Sequence, residues 1–425
     1  MDETPHNRAV SSSLELRARA CVEAGILGYL VQLPFASQLP PVFQTVALAA
    51  ILVGLLLVGW ADFVRSQPSL RFELLGPTLV FFASFGISIF TSDHRGLSAG
   101  RAYFLPIALL FFLALQVAVV SRASLLRLSF VLLAVIGSLG INGIYQAYSG
   151  AAPISGQSLY GERIRGGLPH PNDLAMIPIL LPLAALAVTE ASRRWLSAGG
   201  GLAIALGVAT VGLSRSRNAL LGLAVVVAVS LFASRSRRAW LALTALAVLA
   251  GGLVAVVDPQ SAVYRLLDPA LVRGDGRIGL WLSALEIFRE APLLGSGPFL
   301  FDRLYPSFVE RVELPGGYHA ERGYIPWVHS LYLEALAERG LLGLGSFLVL
   351  VALALRRVGS AWRDALTAAS RNLAAALAAS WAAFLVMGAV DLSFLKDWVW
   401  IVFALLVSLS ARLRLLSAAP PTPGQ

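Results

Sequence analysis

Runs of roughly 20 apolar residues recur along almost the whole chain, and no other feature restricts its fold so strongly. Each is long enough to cross the roughly 30 Å hydrocarbon layer of a bilayer as an α-helix. Twelve are read, at 22–37, 41–60, 74–90, 102–120, 129–148, 174–189, 195–213, 218–233, 239–257, 341–355, 373–390 and 399–411. The first is the least regular, because Gln32, Pro34 and Gln38 interrupt it, and a count of eleven would move one terminus across the membrane. Composition points the same way: 57% of residues are apolar, 13% are charged and the mean hydropathy is +0.75. Such a chain cannot hide its apolar surface from water by folding alone. The expected fold class is all-α: a polytopic membrane protein of about 12 transmembrane helices with one large loop that itself contains helices. Its parts are spans one to nine (1–257), the loop (258–340), spans ten to twelve (341–415) and a tail (416–425), which is Pro-rich from Ala418 and expected to be disordered.

Arginine placement sets the orientation, since Lys and Arg concentrate in cytoplasmic loops. With both termini inside, cytoplasmic segments hold 18 of the 33 Lys and Arg residues, short outer loops hold 7 and the long loop holds 8. The long loop carries 11 acidic residues against those 8 arginines, a net charge of −3. The overall charge of +9 is therefore mostly a topology signal rather than the mark of a nucleic-acid binder. Arg17 and Arg19 precede an apolar stretch without a clear small-residue cleavage site, so that stretch is kept as the first span. The single Cys21 excludes an internal disulfide, leaving packing on the helix bundle to hold the loop.

Ion-driven transporters place ionisable groups inside their spans. Here the span interiors are almost free of charge, and Glu23, Asp173, Arg215, Arg217 and Asp391 lie at span ends. That favours a site at the outer surface over a pathway through the bilayer. Six arginines in short outer loops run against the orientation bias: Arg95, Arg101, Arg163, Arg165, Arg215 and Arg217. Snorkelling to headgroups is the plain explanation for any one of them, but the last four have informative neighbours.

Four pieces stand out. Residues 161–173, Gly-Glu-Arg-Ile-Arg-Gly-Gly-Leu-Pro-His-Pro-Asn-Asp, lead into the sixth span, with Asn172 or Asp173 suited to cap its first amides. A helix start of this kind favours anions; His170 beside it is read as structural or secondary, as is Asn172. The turn Ser214-Arg215-Ser216-Arg217-Asn218 presents two guanidinium groups, whose planar forks match phosphate oxygens. The loop holds an interfacial helix over 277–290, with Ile278, Trp281, Leu282, Leu285 and Phe288 on one face, followed by a glycine-rich turn over 292–298. That turn lacks the lysine and the strand of a nucleotide-binding loop. The last piece starts at His329 and runs into the tenth span. A neutral imidazole there can take a proton from a sugar hydroxyl near neutral pH, although a hydrogen-bonded structural histidine has the same spacing. His319 and His329 lack metal-ligand spacing and the carboxylates are scattered, so no metal site is read.

Together these pieces resemble the O-antigen ligase and O-antigen polymerase superfamily of bacterial inner-membrane glycosyltransferases. The most specific stretch is His-Ser-Leu-Tyr-Leu-Glu-x-Leu-Ala-Glu-x-Gly-Leu-x-Gly from His329. Arg277 with Trp281, the Pro-Leu-Leu-Gly-x-Gly-Pro run from Pro292, the Ser-Arg-Ser-Arg turn and the His-Pro-Asn at His170 support it. The resemblance covers about residues 161–343. It implies glycosyl transfer at the periplasmic face from an undecaprenyl-diphosphate-linked glycan, with membrane lipids around and no nucleotide, nucleic acid, cofactor or metal. For site residues it implies His329 and Arg277 as catalytic, with Arg217, Arg215, Arg163 and Arg165 on the diphosphate. Between superfamily members, the single large loop favours a ligase, with lipid A-core as acceptor, over a polymerase that joins lipid-linked repeat units. A lipid-linked glycan flippase is the reading from another class, and it predicts a polar route that the charge-poor spans do not offer.

Overall fold

The computed structural model describes residues 5–35, 39–65, 72–153, 156–191, 193–233, 276–316, 318, 320–321 and 323–417. The expected ninth span at 239–257, the first part of the long loop, His319 and the tail from Ala418 lie outside them. The described chain is helical, with no β-strand beyond two isolated bridges in residues 151–163. In order the helices are α1 (Pro5–Gln32), α2 (Pro41–Arg65), α3 (Leu75–Thr91), α4 (Arg95–Arg101), α5 (Leu105–Ala118), α6 (Arg122–Ser149), α7 (Met176–Thr189), α8 (Arg194–Leu213) and α9 (Arg217–Ala233). After them come α10 (Arg277–Glu290), α11 (Phe301–Val309), α12 (Leu331–Arg363), α13 (Ala368–Gly388) and α14 (Asp397–Ser417).

Eight helical stretches among the described residues are long and apolar enough to cross a membrane: Pro41–Phe63, Arg95–Ala118, Arg122–Ser149, Pro171–Thr189, Arg194–Leu213, Leu331–Arg363, Ala368–Gly388 and Asp397–Ser417. α3 and α9 are apolar but shorter. α1 is not among the eight; it starts well before the expected first span, so its amino-terminal half is polar and carries Glu15, Arg17 and Arg19. It packs against α2, where a Cβ on Gly25 would lie 2.8 Å from the Ala47 carbonyl. α7 and α14 are buried almost throughout and form the centre of the bundle. Polar side chains deep in that centre are tied to backbone: Ser408 Oγ donates to the Phe112 carbonyl at 3.0 Å and Arg412 Nε to that of Gln116 at 2.8 Å.

The long loop grips the bundle through a break in α12. Gly340 takes φ 62° and ψ −158° inside this helix, which interrupts the ladder of amide-to-carbonyl bonds. The glycine-rich turn replaces what is lost. Leu341 and Leu342 donate to the carbonyls of Pro292 (2.8 Å) and Leu293 (3.1 Å), while Ser296 and Gly297 donate to those of Ala337 (3.1 Å) and Glu338 (3.0 Å). Such exchange matters because a buried amide or carbonyl without a partner costs about 1–3 kcal/mol. Three further contacts clamp the turn to α3 and α4. Ser92 and Ser98 hydroxyls donate to the Ser296 and Pro298 carbonyls, and Arg101 makes a two-pronged ion pair with Asp302 at 2.5 and 2.9 Å. Arg101 therefore has a loop-anchoring partner.

α10 lies on the amino-terminal part of α12, but its fully buried stripe is not the one its apolar spacing suggests. Leu280, Ala284 and Ile287 enter a second core with Phe301, Tyr305, Phe308, Val328 and Ala337. Gly279 and Ser283 beside that stripe are small and also buried, which lets the two helices approach closely. Ile278, Trp281, Leu282, Leu285 and Phe288 are only half-buried.

Candidate functional site

Four connections that alternate along the chain meet at the end of the bundle bearing α10. They are the lead-in to α7, the α8–α9 turn, the residues before α12 and the α13–α14 connection. At their junction the His329 Nδ1 lies 2.5 Å from Asp391 Oδ1, and Arg277 Nη2 lies 3.7 Å from the same oxygen. The Asp391 side chain is only 2% exposed, whereas those of His329 and Arg277 are each 21% exposed. Burial alone would raise the Asp391 carboxyl, but the His329 hydrogen bond, Lys396 and Arg277 together hold it below the ordinary aspartate range. It is an ionised acceptor at neutral pH.

This fixes the imidazole. A short bond to a carboxylate requires a proton on Nδ1, so Nε2 is the ring nitrogen left for other partners. The Trp327 indole nitrogen also approaches Nδ1, at 3.3 Å. Nδ1 cannot accept from it while donating to Asp391, and the shorter, charge-assisted bond wins. Trp327 is thus a ring neighbour, its centroid 5.5 Å from that of His329. The backbone at His329 is left-handed, with φ 58°, a conformation costly for a residue with a Cβ. Val328, fully buried, and Ser330, the N-cap of α12, hold it on either side.

Arg277 also faces a cavity of about 470 Å³. Its polar lining is Arg217, Asn218, Arg277 and Tyr318, and its apolar lining is Leu220, Leu221 and Ala224 of α9 with Ile278 and Trp281 of α10. Val390, next to Asp391, completes the wall. Two guanidinium groups in the wall of a largely apolar cavity suit an anionic head on a hydrocarbon tail.

The other basic residues are placed around this centre. Arg163 donates from Nε to the Ser214 carbonyl (3.0 Å) and from a terminal nitrogen to Asn172 Oδ1 (2.7 Å), joining the α7 lead-in to the α8–α9 turn. Arg215, left-handed at φ 52°, pairs with Glu162 at 2.8 Å. Arg165 bonds the carbonyls of Ser158 and Pro169 within its own loop. The cap of the helical turn Pro171–Ala175 differs from expectation. His170 Nδ1 accepts the Asn172 amide and Asp173 accepts that of His170, so Asn172 is free to accept from Arg163 rather than to cap. Burial first, then Lys396, pushes the His170 imidazole down to about 4, and it is neutral in the fold.

In the sequence Asp391 stands only at a span end, Asp173 at a span end and as a possible cap, and Lys396 belongs to no motif. Asp391 is 62 positions from His329, and Lys396 is 223 from Asp173, its partner at 2.8 Å. Among the described residues no three His, Cys, Asp or Glu side chains cluster as metal ligands.

Fold and site together define an α-helical integral membrane protein with a His–Asp–Arg cluster beside an amphipathic cavity. Residues 202–348 match the family model described as O-antigen ligase. That stretch contains Arg215, Arg217, Arg277 and His329, and it overlaps much of the region in which the sequence itself resembles the O-antigen ligase and polymerase superfamily. No curated protein matches the chain.

Proposed function

We propose that the protein is an O-antigen ligase of the bacterial inner membrane. It moves a glycan from an undecaprenyl-diphosphate donor to a lipid A-core acceptor at the periplasmic face, with both termini in the cytoplasm. The observation that carries this reading is the shared use of Arg277, which faces both the Asp391–His329 pair and the cavity that suits a lipid diphosphate.

In this mechanism the acceptor hydroxyl gives its proton to His329 Nε2 as its oxygen attacks the anomeric carbon. The bond from that carbon to the diphosphate breaks, and the leaving diphosphate keeps the electron pair. Arg277 and Arg217 stabilise the growing charge in place of a metal, while Arg215, Arg163 and Arg165 supply a positive surround. Asp391 holds the imidazole in its reactive tautomer and balances the imidazolium that forms. A single displacement of this kind inverts the anomeric centre. α9 and α10 offer apolar side chains to the polyprenyl chain.

The lipopolysaccharide of a deletion strain tests the assignment. Ligase loss leaves full-length glycan on the carrier lipid, with bare core on the surface. Cores capped by one repeat unit would identify a polymerase instead, and donor retained on the cytoplasmic side would identify a flippase.

A further inference from the structure

Beside His329 an indole N–H is left without an acceptor. The Trp327 nitrogen lies 3.3 Å from His329 Nδ1, but Nδ1 gives its own proton to Asp391 at 2.5 Å. Two donors cannot satisfy each other, so the Trp327 N–H has no acceptor among the described residues. An indole N–H withdrawn from water ordinarily finds one. The ring itself is well held. The Lys396 ammonium sits 4.6 Å from its centre and is fixed in turn by Asp173 Oδ1 at 2.8 Å. Val328, the next residue, is fully buried, yet Trp327 is only half-buried. A clamped aromatic ring with an unsatisfied donor and part of its surface open thus stands next to the imidazole, 5.5 Å between ring centres.

Trp327 takes no part in the wall of the Arg277 cavity, which is built from α9 and α10 with Tyr318 and Val390. Its partners come instead from the α13–α14 connection and, through Lys396, from the α7 lead-in. Sugars are bound by two features used together: an aromatic ring against the apolar C–H face of the pyranose, and fixed polar groups for its hydroxyls. Trp327 supplies both.

We propose that Trp327 forms the subsite for the acceptor sugar, its ring packing on the C–H face of the saccharide whose hydroxyl meets His329 and its N–H donating to an oxygen of the same saccharide. This rests on the reading of the protein as a glycosyltransferase with His329 as its base. The donor diphosphate belongs to the Arg277 cavity, which Trp327 does not line, and the ring is therefore assigned to the acceptor.

Initial rates of the full-length protein, with undecaprenyl-diphosphate-linked glycan as donor and lipid A-core as acceptor, separate the two substrates. Trp327→Phe keeps an aromatic ring and loses the N–H. Its KM for lipid A-core should rise about three- to tenfold, with the donor KM unchanged and kcat within about twofold of wild type. Trp327→Ala loses the ring as well, and its KM for lipid A-core should rise by at least about tenfold. The Phe variant reports even if the Ala variant does not fold. An unchanged KM for lipid A-core in the Phe variant, with transfer intact, overturns the proposal and leaves the N–H to solvent. A fall in kcat at unchanged KM also overturns it and makes Trp327 a structural neighbour of His329, and a rise in the donor KM instead moves the ring to the donor sugar. Wild-type protein that transfers nothing to lipid A-core would overturn the ligase reading itself, and the proposal with it.

Discussion

His329 carries a left-handed backbone and a 2.5 Å bond to a buried carboxylate, and each of these limits what can replace it. Arg277→Lys keeps the charge near Asp391 but loses the planar fork. The expected result is a loss of transfer of at least tenfold, because one ammonium cannot serve the carboxylate and a diphosphate together. An unchanged rate in a purified assay would remove Arg277 from the diphosphate. His170 gives a pH prediction of a different kind. Its imidazole is held down to about 4 in the fold against 6.5 for the free group, so the unfolded chain takes up a proton first as pH falls. Stability contributed by the neutral ring is complete above about 6.5 and is lost progressively down to about 4. His170→Asn offers an oxygen for the same Asn172 amide without titrating. Melting curves in detergent should show a flatter acid slope for this variant, and an identical slope would contradict the neutral-cap role.

At the scale of elements, the joint between the glycine-rich turn and the break in α12 ties together two motifs that are separate in sequence. The turn over 292–298 and the helix from Leu331 were both legible, one from its glycines and prolines and the other from its apolar spacing. Their interlocking was not, because the four exchanged backbone bonds leave no side-chain signature. Gly295, at φ 73°, marks the joint: a Cβ there would lie 2.2 Å from the Arg339 amide nitrogen. Gly295→Ala should therefore cost at least about 1–2 kcal/mol, read as a lower melting temperature. Gly316→Ala, with nothing within 4 Å of the added Cβ, is the matched control. Equal melting of the two would refute the joint. The buried face of α10 differs from its large-apolar face because the small residues Gly279, Ser283 and Ala284 govern its approach to α12. His329 and Arg277 stood out by their surroundings in sequence, whereas Asp391 and Lys396 sit in a connection whose importance comes only from what folds against it.

For the whole molecule, alternation of spans assigned the short connections at 91–101, 149–173, 214–217 and 391–398 to the same side as the long loop. The fold brings residues from all four to the end that bears the loop, through Arg101, Arg163, Ser214 and Asp391. Which side of the membrane this end faces is testable by labelling. In a chain with Cys21 replaced, a cysteine at Tyr324, 75% exposed near the site, should react with an impermeant maleimide in cells with a permeabilised outer membrane. One at Leu366, fully exposed between α12 and α13 at the other end, should react only after the inner membrane is opened. The reverse pattern would invert the proposed orientation and move the site to the cytoplasm.

The central claim is that His329, held by Asp391, is the base for glycosyl transfer, and single-turnover transfer by His329→Ala tests it most directly when donor binding is measured in the same preparation. If His329 is the base, binding of the lipid-diphosphate donor is unchanged and transfer falls by at least about a hundredfold, the usual worth of a positioned general base. Transfer near the wild-type rate with intact donor binding would contradict it.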